Sequence, residues 1–194
     1  TRNFWLMCIA ITIMSIFLTG LVPHIVPLLK DRGLTATMAA SIAGFMGLAT
    51  FIGRITVGYL LDRFFAPYIA ILFFSLAALG LGLLVGASST PLILLSIFLL
   101  GLGFGAESDL IGYLVGRYFG LKCFAQIYGY ALAGFLLGAG IGPYILGLSF
   151  EYWGSYKFIL IIACLMSILS CGLFSLMSPY PGESKTTSIK IATT

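Results

Sequence analysis

Along the chain, long runs of apolar residues alternate with short polar or charged breaks. The breaks read Lys30-Asp31-Arg32-Gly33, Asp62-Arg63, Ser88-Ser89-Thr90-Pro91, Leu121-Lys122-Cys123 and Glu151 to Tyr156. About 20 apolar residues are needed to cross the hydrocarbon of a bilayer as a helix. Six runs meet that length, at approximately 4–29, 36–61, 67–87, 91–116, 124–149 and 156–178. Strands of a membrane barrel would be about ten residues long with alternating polarity, so the pattern predicts an all-α integral membrane bundle over 1–178. Beyond it, 179–194 turns polar, and this tail is expected to bury no surface and to be disordered. The first run follows Arg2 and resembles a signal peptide, but no small-residue cleavage site closes it and Thr1 is not an initiator methionine, so it reads as a true helix.

Composition agrees with this pattern. Of 194 residues, 60% are hydrophobic and 8% charged, against about 25% charged in soluble chains, and the mean hydropathy is +1.13. A water-soluble domain, a coiled coil and a nucleic-acid-binding protein are all excluded. Cys8, Cys123, Cys164 and Cys171 have no paired spacing and read as small buried hydrophobes; no metal-ligand cluster and no cofactor motif is present. With both ends inside, Arg2, Arg63, Arg117, Lys122, Lys185 and Lys190 fall on the cytoplasmic side and Lys30, Arg32 and Lys157 outside, the arrangement that the positive-inside rule favours; the reversed topology inverts the count.

Small residues let helices approach closely in lipid. The glycines concentrate on the second span (Gly44, Gly47, Gly53, Gly58), the fourth (Gly101, Gly103, Gly105, Gly112, Gly116) and the fifth (Gly129, Gly134, Gly138, Gly140, Gly142, Gly147). These three spans are expected to pack tightly, and the third and sixth to face lipid, although Gly80, Gly82 and Gly86 qualify this for the third. Pro23, Pro27 and Pro143 mark expected bends.

A charge at the centre of a membrane helix costs about 2.5 to 3.5 kcal/mol on insertion scales, so each one requires a partner, a water path or a task. Arg54 lies about 8 Å from the middle of the second span, and Glu107 and Asp109 lie about 5 and 8 Å from the middle of the fourth. Two residues apart on a helix, Glu107 and Asp109 project roughly 200° from each other and must have separate surroundings. One is expected to face a central aqueous path and carry a proton while the other pairs with Arg54; the alternative is that both serve packing. Arg54 has a competing reading as an anchor for a carboxylate or phosphate. His24 is a proton-relay candidate or an interfacial structural residue, and Tyr113, Tyr128, Tyr130 and Tyr144 either line a cavity or pack.

The second span closes with Gly53-Arg54-Ile55-Thr56-Val57-Gly58-Tyr59-Leu60-Leu61-Asp62-Arg63. This resembles the G-R-x-x-x-G-x-L-x-D-R signature that ends the second helix of each six-helix half in major facilitator superfamily transporters. Gly105-Ala106-Glu107-Ser108-Asp109, Arg117-Tyr118-Phe119-Gly120, Ile127-Tyr128-Gly129, Gly138 to Pro143 and Gly154-Ser155-Tyr156 extend the likeness over nearly the whole chain. The resemblance is to the carboxy-terminal half of a bacterial-type carrier of the group that includes monocarboxylate and oxalate/formate carriers.

That resemblance implies one half of a 6+6 bundle with internal 3+3 inverted repeats, which pair spans one with four and two with five. It implies an inner-membrane protein with cytoplasmic ends that moves a small organic solute, an organic anion with possible proton coupling, by alternating access. The amino-terminal six-helix half would lie upstream or on a second chain. Arg54, Glu107, Asp109, Tyr128 and Tyr130 become candidates for substrate or ion coupling. Gly58, Asp62, Arg63 and Arg117 become a cytoplasmic latch, weakened because Phe64-Phe65-Ala66-Pro67 replaces the usual glycine and basic residues. Gly129, Gly138, Gly142 and Pro143 fit an antiporter-like packing motif, but Leu146 stands where a closing glycine belongs, so antiport is not read from it. An intramembrane enzyme or a channel subunit is the alternative; no Ser/His/Asp arrangement, paired aspartates on facing helices or re-entrant filter supports either.

Overall fold

The computed structural model describes residues 1–180. It contains seven α-helices: α1 (Arg2–Leu21), α2 (Ile25–Asp31), α3 (Ala36–Leu61), α4 (Ala66–Gly86), α5 (Thr90–Phe119), α6 (Phe124–Trp153) and α7 (Lys157–Ser175). A short 3-10 turn at Val22–His24 joins α1 to α2. Pro23 enters that turn at its start and has no backbone N–H to give, so the first span is broken there. With α1 and α2 counted together, six helical spans are long and apolar enough to cross a membrane, and the chain is a multi-pass membrane protein.

Local chemistry sets the ends. Thr35 caps α3 by accepting the Met38 N–H at 3.3 Å. Pro67 and Pro91 occupy the first turns of α4 and α5, where a missing donor costs nothing. Gly120 and Gly154, both at positive φ, stop α5 and α6.

The six spans pack in the order α6, α1, α7, α4, α5, α3, and α5 also touches α6 and α1. The order is symmetric. Exchanging α1 with α5, α3 with α6 and α4 with α7 converts the α1–α6 contact into α5–α3 and the α4–α5 contact into α7–α1. This is the pairing that an inverted 3+3 repeat requires.

Three expectations need correction. First, the glycines do not divide by span into packing and lipid-facing helices. Gly20, Gly53, Gly80, Gly101, Gly103, Gly105, Gly138 and Gly142 sit against neighbouring helices, and Gly80, on the third span, meets the Ser96 backbone. Gly44, Gly47 and Gly58 on α3 and Gly129 and Gly140 on α6 face open space. Second, coverage within this half does not follow that division: α3 and α6 each pack closely on one neighbour, α5 and α1, yet are the least covered spans, and α4 is among the most covered because it lies between α5 and α7. Third, the bundle does not end at 178: α7 stops at Ser175, and the chain then folds back so that Tyr180 is buried. The rest of the predicted polar tail, 181–194, lies outside the described residues.

Candidate functional site

Close approach of α3 and α5 brings the polar side chains of the two helices together. A Cβ on Gly53 would lie 2.6 Å from the Leu102 carbonyl oxygen, and one on Gly105 would lie 3.1 Å from the Arg54 backbone nitrogen. Only hydrogen at these positions lets the backbones meet. The contact brings Arg54 to Ser108, where Arg54 Nη2 donates to Ser108 Oγ at 3.3 Å and the Ser108 hydroxyl donates to Asp109 Oδ1 at 3.3 Å. Arg54 is therefore linked to Asp109 through a serine, and its guanidinium is exposed on the face of α3 that the rest of the described chain leaves open.

Glu107 lies elsewhere. It is 1% exposed, and both carboxyl oxygens lack a hydrogen-bond partner among the described residues. One turn earlier on the same helix, Gly103 packs on Ala77 and Phe73 of α4, so Glu107 is on the α4 side of α5 and away from the Arg54 face. Of the two acids expected to divide between Arg54 and a central aqueous path, Asp109 is on the Arg54 side, linked through Ser108, and Glu107 is inside the half-bundle.

The two tyrosines named from sequence also separate. Tyr128 is half-buried, stacked on Phe124 with centroids 5.5 Å apart and touching the Gly112 position of α5. Tyr130 is 63% exposed and borders an apolar groove of about 610 Å³ between α1 and α6, together with Trp5, Ile9, Thr12 and Leu137. Gly138 and Gly142 are packed against α1, Gly129 is open, and Pro143 is inside α6.

At the end of the bundle that carries Thr1 and Tyr180, the expected latch residues gather. Asp62, Arg63, Tyr113, Arg117 and Tyr180 line a cavity of about 190 Å³. The Arg63 guanidinium lies over the Tyr59 ring at 4.2 Å, and that of Arg117 over Tyr180 at 4.8 Å. Gly58 faces open space and Asp62 is exposed. Sequence reasoning missed Tyr180. Its hydroxyl accepts the Ala66 N–H at 2.9 Å, and its ring meets Phe65 at 4.7 Å and Tyr118 at 4.9 Å.

At the opposite end, His24 Nε2 is 2.9 Å from the Pro143 carbonyl and Nδ1 is 3.1 Å from the Tyr156 hydroxyl. His24 thus ties the break between α1 and α2 to the proline turn of α6 and the start of α7. No group of three or more His, Cys, Asp or Glu suited to a metal occurs among the described residues.

The family model of the Major Facilitator Superfamily matches residues 2–191. Solved structures with the same fold include a POT-family peptide transporter in complex with sulfate (18% identity, TM-score 0.77, covering 99% of this chain and 44% of that one). The Escherichia coli fucose:proton symporter FucP (19%, TM-score 0.75, covering 92% and 43%) and an auto-inhibited POT-family peptide transporter (15%, TM-score 0.76, covering 94% and 39%) are similarly related. This chain therefore spans less than half the length of these transporters. No curated protein matches the sequence. The arrangement of six spans and the match over nearly all of the sequence place this chain in the major facilitator superfamily.

Proposed function

We propose that this chain is the carboxy-terminal half of a secondary transporter that carries a small organic solute, an organic anion, by alternating access. The observation that carries this reading is Arg54: a cation within a membrane-crossing helix, exposed on the open face of the half-bundle and hydrogen-bonded, among the described residues, to Ser108 alone. Lipid is a poor environment for that guanidinium, whereas a wet path between two halves accommodates it and lets it bind a carboxylate. Asp109 balances its charge through Ser108 when the site is empty. Glu107, which has no hydrogen-bond partner among the described residues, is the candidate for exchanging a proton as the halves rock.

The open glycine rows of α3 and α6 support docking of the amino-terminal half on these two helices, since small residues at an uncovered helix face allow another backbone to approach. The latch residues Asp62, Arg63 and Arg117 would then control opening at the end that the basic residues assign to the cytoplasm. The oxalate/formate- and monocarboxylate-like subtype and the inner bacterial membrane belong to this same reading.

The test is uptake of radiolabelled small mono- and dicarboxylates by the full-length protein in proteoliposomes, with and without an imposed pH gradient. Arg54→Gln is expected to weaken saturable anion uptake roughly 10- to 100-fold while leaving the protein folded. Saturable uptake of neutral solutes alone, or anion uptake unaffected by Arg54→Gln, would overturn the anion reading.

A further inference from the structure

At the end of the bundle away from Thr1 and Tyr180, the ends of α2 and α4 and the start of α7 enclose a polar cavity of about 400 Å³. Its polar lining is Asp31, Arg32, Ser88, Ser155, Tyr156 and Lys157. The half-buried Arg32 spends one N–H on the Ala87 carbonyl at 3.1 Å, and the other N–H groups of its guanidinium have no acceptor among the described residues. Burial pushes this guanidinium below its usual range, and Asp31 acts in the opposite direction. Ser155 Oγ accepts the Lys157 N–H at 3.3 Å, which leaves the Ser155 O–H to donate. Among the described residues the Asp31 carboxylate acts on Arg32 and Tyr156 through charge alone, and neither it nor the Lys157 ammonium makes a side-chain hydrogen bond or a close ion pair.

Two cations and one anion thus face a single cavity; Asp31 acts on Arg32 electrostatically, but none of the three forms an ion pair within 4 Å among the described residues. That pattern fits a zwitterion. A phosphate would take Arg32, Lys157 and the Ser155 hydroxyl, and a primary ammonium would take the Asp31 carboxylate. A quaternary ammonium has no N–H to offer that carboxylate.

The surroundings point to a lipid. Trp153 is exposed and stacks on Phe158 at 4.7 Å, as aromatic side chains do at headgroup level. Below the cavity, Ile161, Leu165 and Ile168 form an exposed row on α7 one turn beyond Lys157. On α4, exposed Leu72 and Leu79 lie in line with Gly86, which lines the cavity. We propose that this cavity holds the headgroup of an ethanolamine-type phospholipid, with its acyl chains along these two rows.

The test is thermal unfolding of the purified full-length protein in detergent with added phosphatidylethanolamine, phosphatidylcholine, phosphatidylglycerol or soluble glycerophosphoethanolamine. Phosphatidylethanolamine is expected to raise the midpoint most, and Arg32→Gln and Asp31→Asn to reduce its increment to that of phosphatidylcholine. Lys157→Gln changes an exposed side chain with no hydrogen bond or ion pair among the described residues, so its loss of the increment separates binding from misfolding. Equal increments from all three lipids, or an increment kept in both Asp31→Asn and Lys157→Gln, overturns the proposal. So does a full effect from glycerophosphoethanolamine, which would mean a free zwitterion, or a larger effect from phosphatidylglycerol that ignores Asp31, which would mean an anionic lipid.

Discussion

Gly20 of α1 and Gly142 of α6 stand back to back: a Cβ on Gly20 would lie 2.7 Å from the Gly142 carbonyl carbon, and one on Gly142 would lie 2.9 Å from the Gly20 Cα. Each blocked atom belongs to backbone, which cannot rotate away. Gly142→Val is therefore expected to destabilise the bundle by about 1 to 3 kcal/mol, the usual cost of overpacking. Gly140, two residues earlier, faces open space, and Gly140→Val should leave the unfolding midpoint in detergent within about 0.5 kcal/mol of the parent. If α6 meets the other half as proposed, the same Gly140→Val should nevertheless slow transport by the full-length protein. Thermal unfolding and uptake measured on both variants separate the two classes of glycine.

The Arg54, Ser108 and Asp109 chain predicts a graded series. A hydrogen bond to a charged group contributes about 1.5 to 3 kcal/mol, so Arg54→Gln should weaken anion binding roughly 10- to 100-fold. Ser108→Ala removes the link at both 3.3 Å contacts and frees the guanidinium. Its effect on affinity should be only a few-fold, and the unfolding midpoint should stay close to the parent because Arg54 is exposed. Equal losses from the two variants would mean that the serine, not the arginine, holds the site.

Glu107 is buried without a hydrogen-bond partner among the described residues, and Gln has its shape but cannot take up or release a proton. Glu107→Gln is expected to abolish accumulation driven by a pH gradient while preserving counterflow of labelled against unlabelled substrate. A packing role alone predicts that both assays survive. The comparison with Asp109→Asn assigns any proton to one carboxyl, since the two lie on different faces of α5.

Much of this architecture could be read from the chain because lipid imposes length. The expected second span, 36–61, coincides with Ala36–Leu61, and the other spans agree to within a few residues except where helices run past the apolar stretch. The fourth span, expected to end at 116, continues to Phe119 because Arg117 lies over aromatic rings and Gly120 provides the stop. Arg54, Glu107 and Asp109 stood out because charge in oil is costly. Ser108, the link between two of them, did not, because a serine in a membrane helix costs little. Tyr180 was also hidden: its partners Ala66, Phe65 and Arg117 are distant in sequence, so only folding brings them together. A glycine looks the same in sequence whether it meets its own half or open space, so the division within α3 and α6 required coordinates.

Tyr180 should give a pH-dependent contribution to stability. Burial raises its phenol above the usual value, with smaller opposing effects from its hydrogen bond to Ala66 and from Arg117. A raised folded-state value means that the contribution is fully present below the unfolded pKa of about 10 and is lost as pH climbs through the folded value. Tyr180→Phe loses the Ala66 hydrogen bond, at a cost of about 1 kcal/mol, and cannot ionise. The stability gap between parent and Tyr180→Phe should be flat from pH 6 to about 9 and narrow above about 10. A gap that narrows on the acid side would contradict the assignment.

The two bonds of His24 fix its tautomer. A carbonyl only accepts, so Nε2 carries the hydrogen that reaches Pro143 O at 2.9 Å, and in the neutral ring Nδ1 accepts from the Tyr156 hydroxyl at 3.1 Å. Tyr156→Phe keeps the stacking on Phe150 at 4.5 Å but leaves Nδ1 without a donor, at an expected cost of about 1 kcal/mol. His24→Ala loses both bonds and unties α6 from the break after α1, and should cost more. Because Tyr156 acts here through His24, removing it in the His24→Ala background should cost less than removing it alone. A double-mutant cycle read by thermal unfolding should return a coupling of about 1 kcal/mol; strict additivity would mean that the tyrosine and histidine act independently.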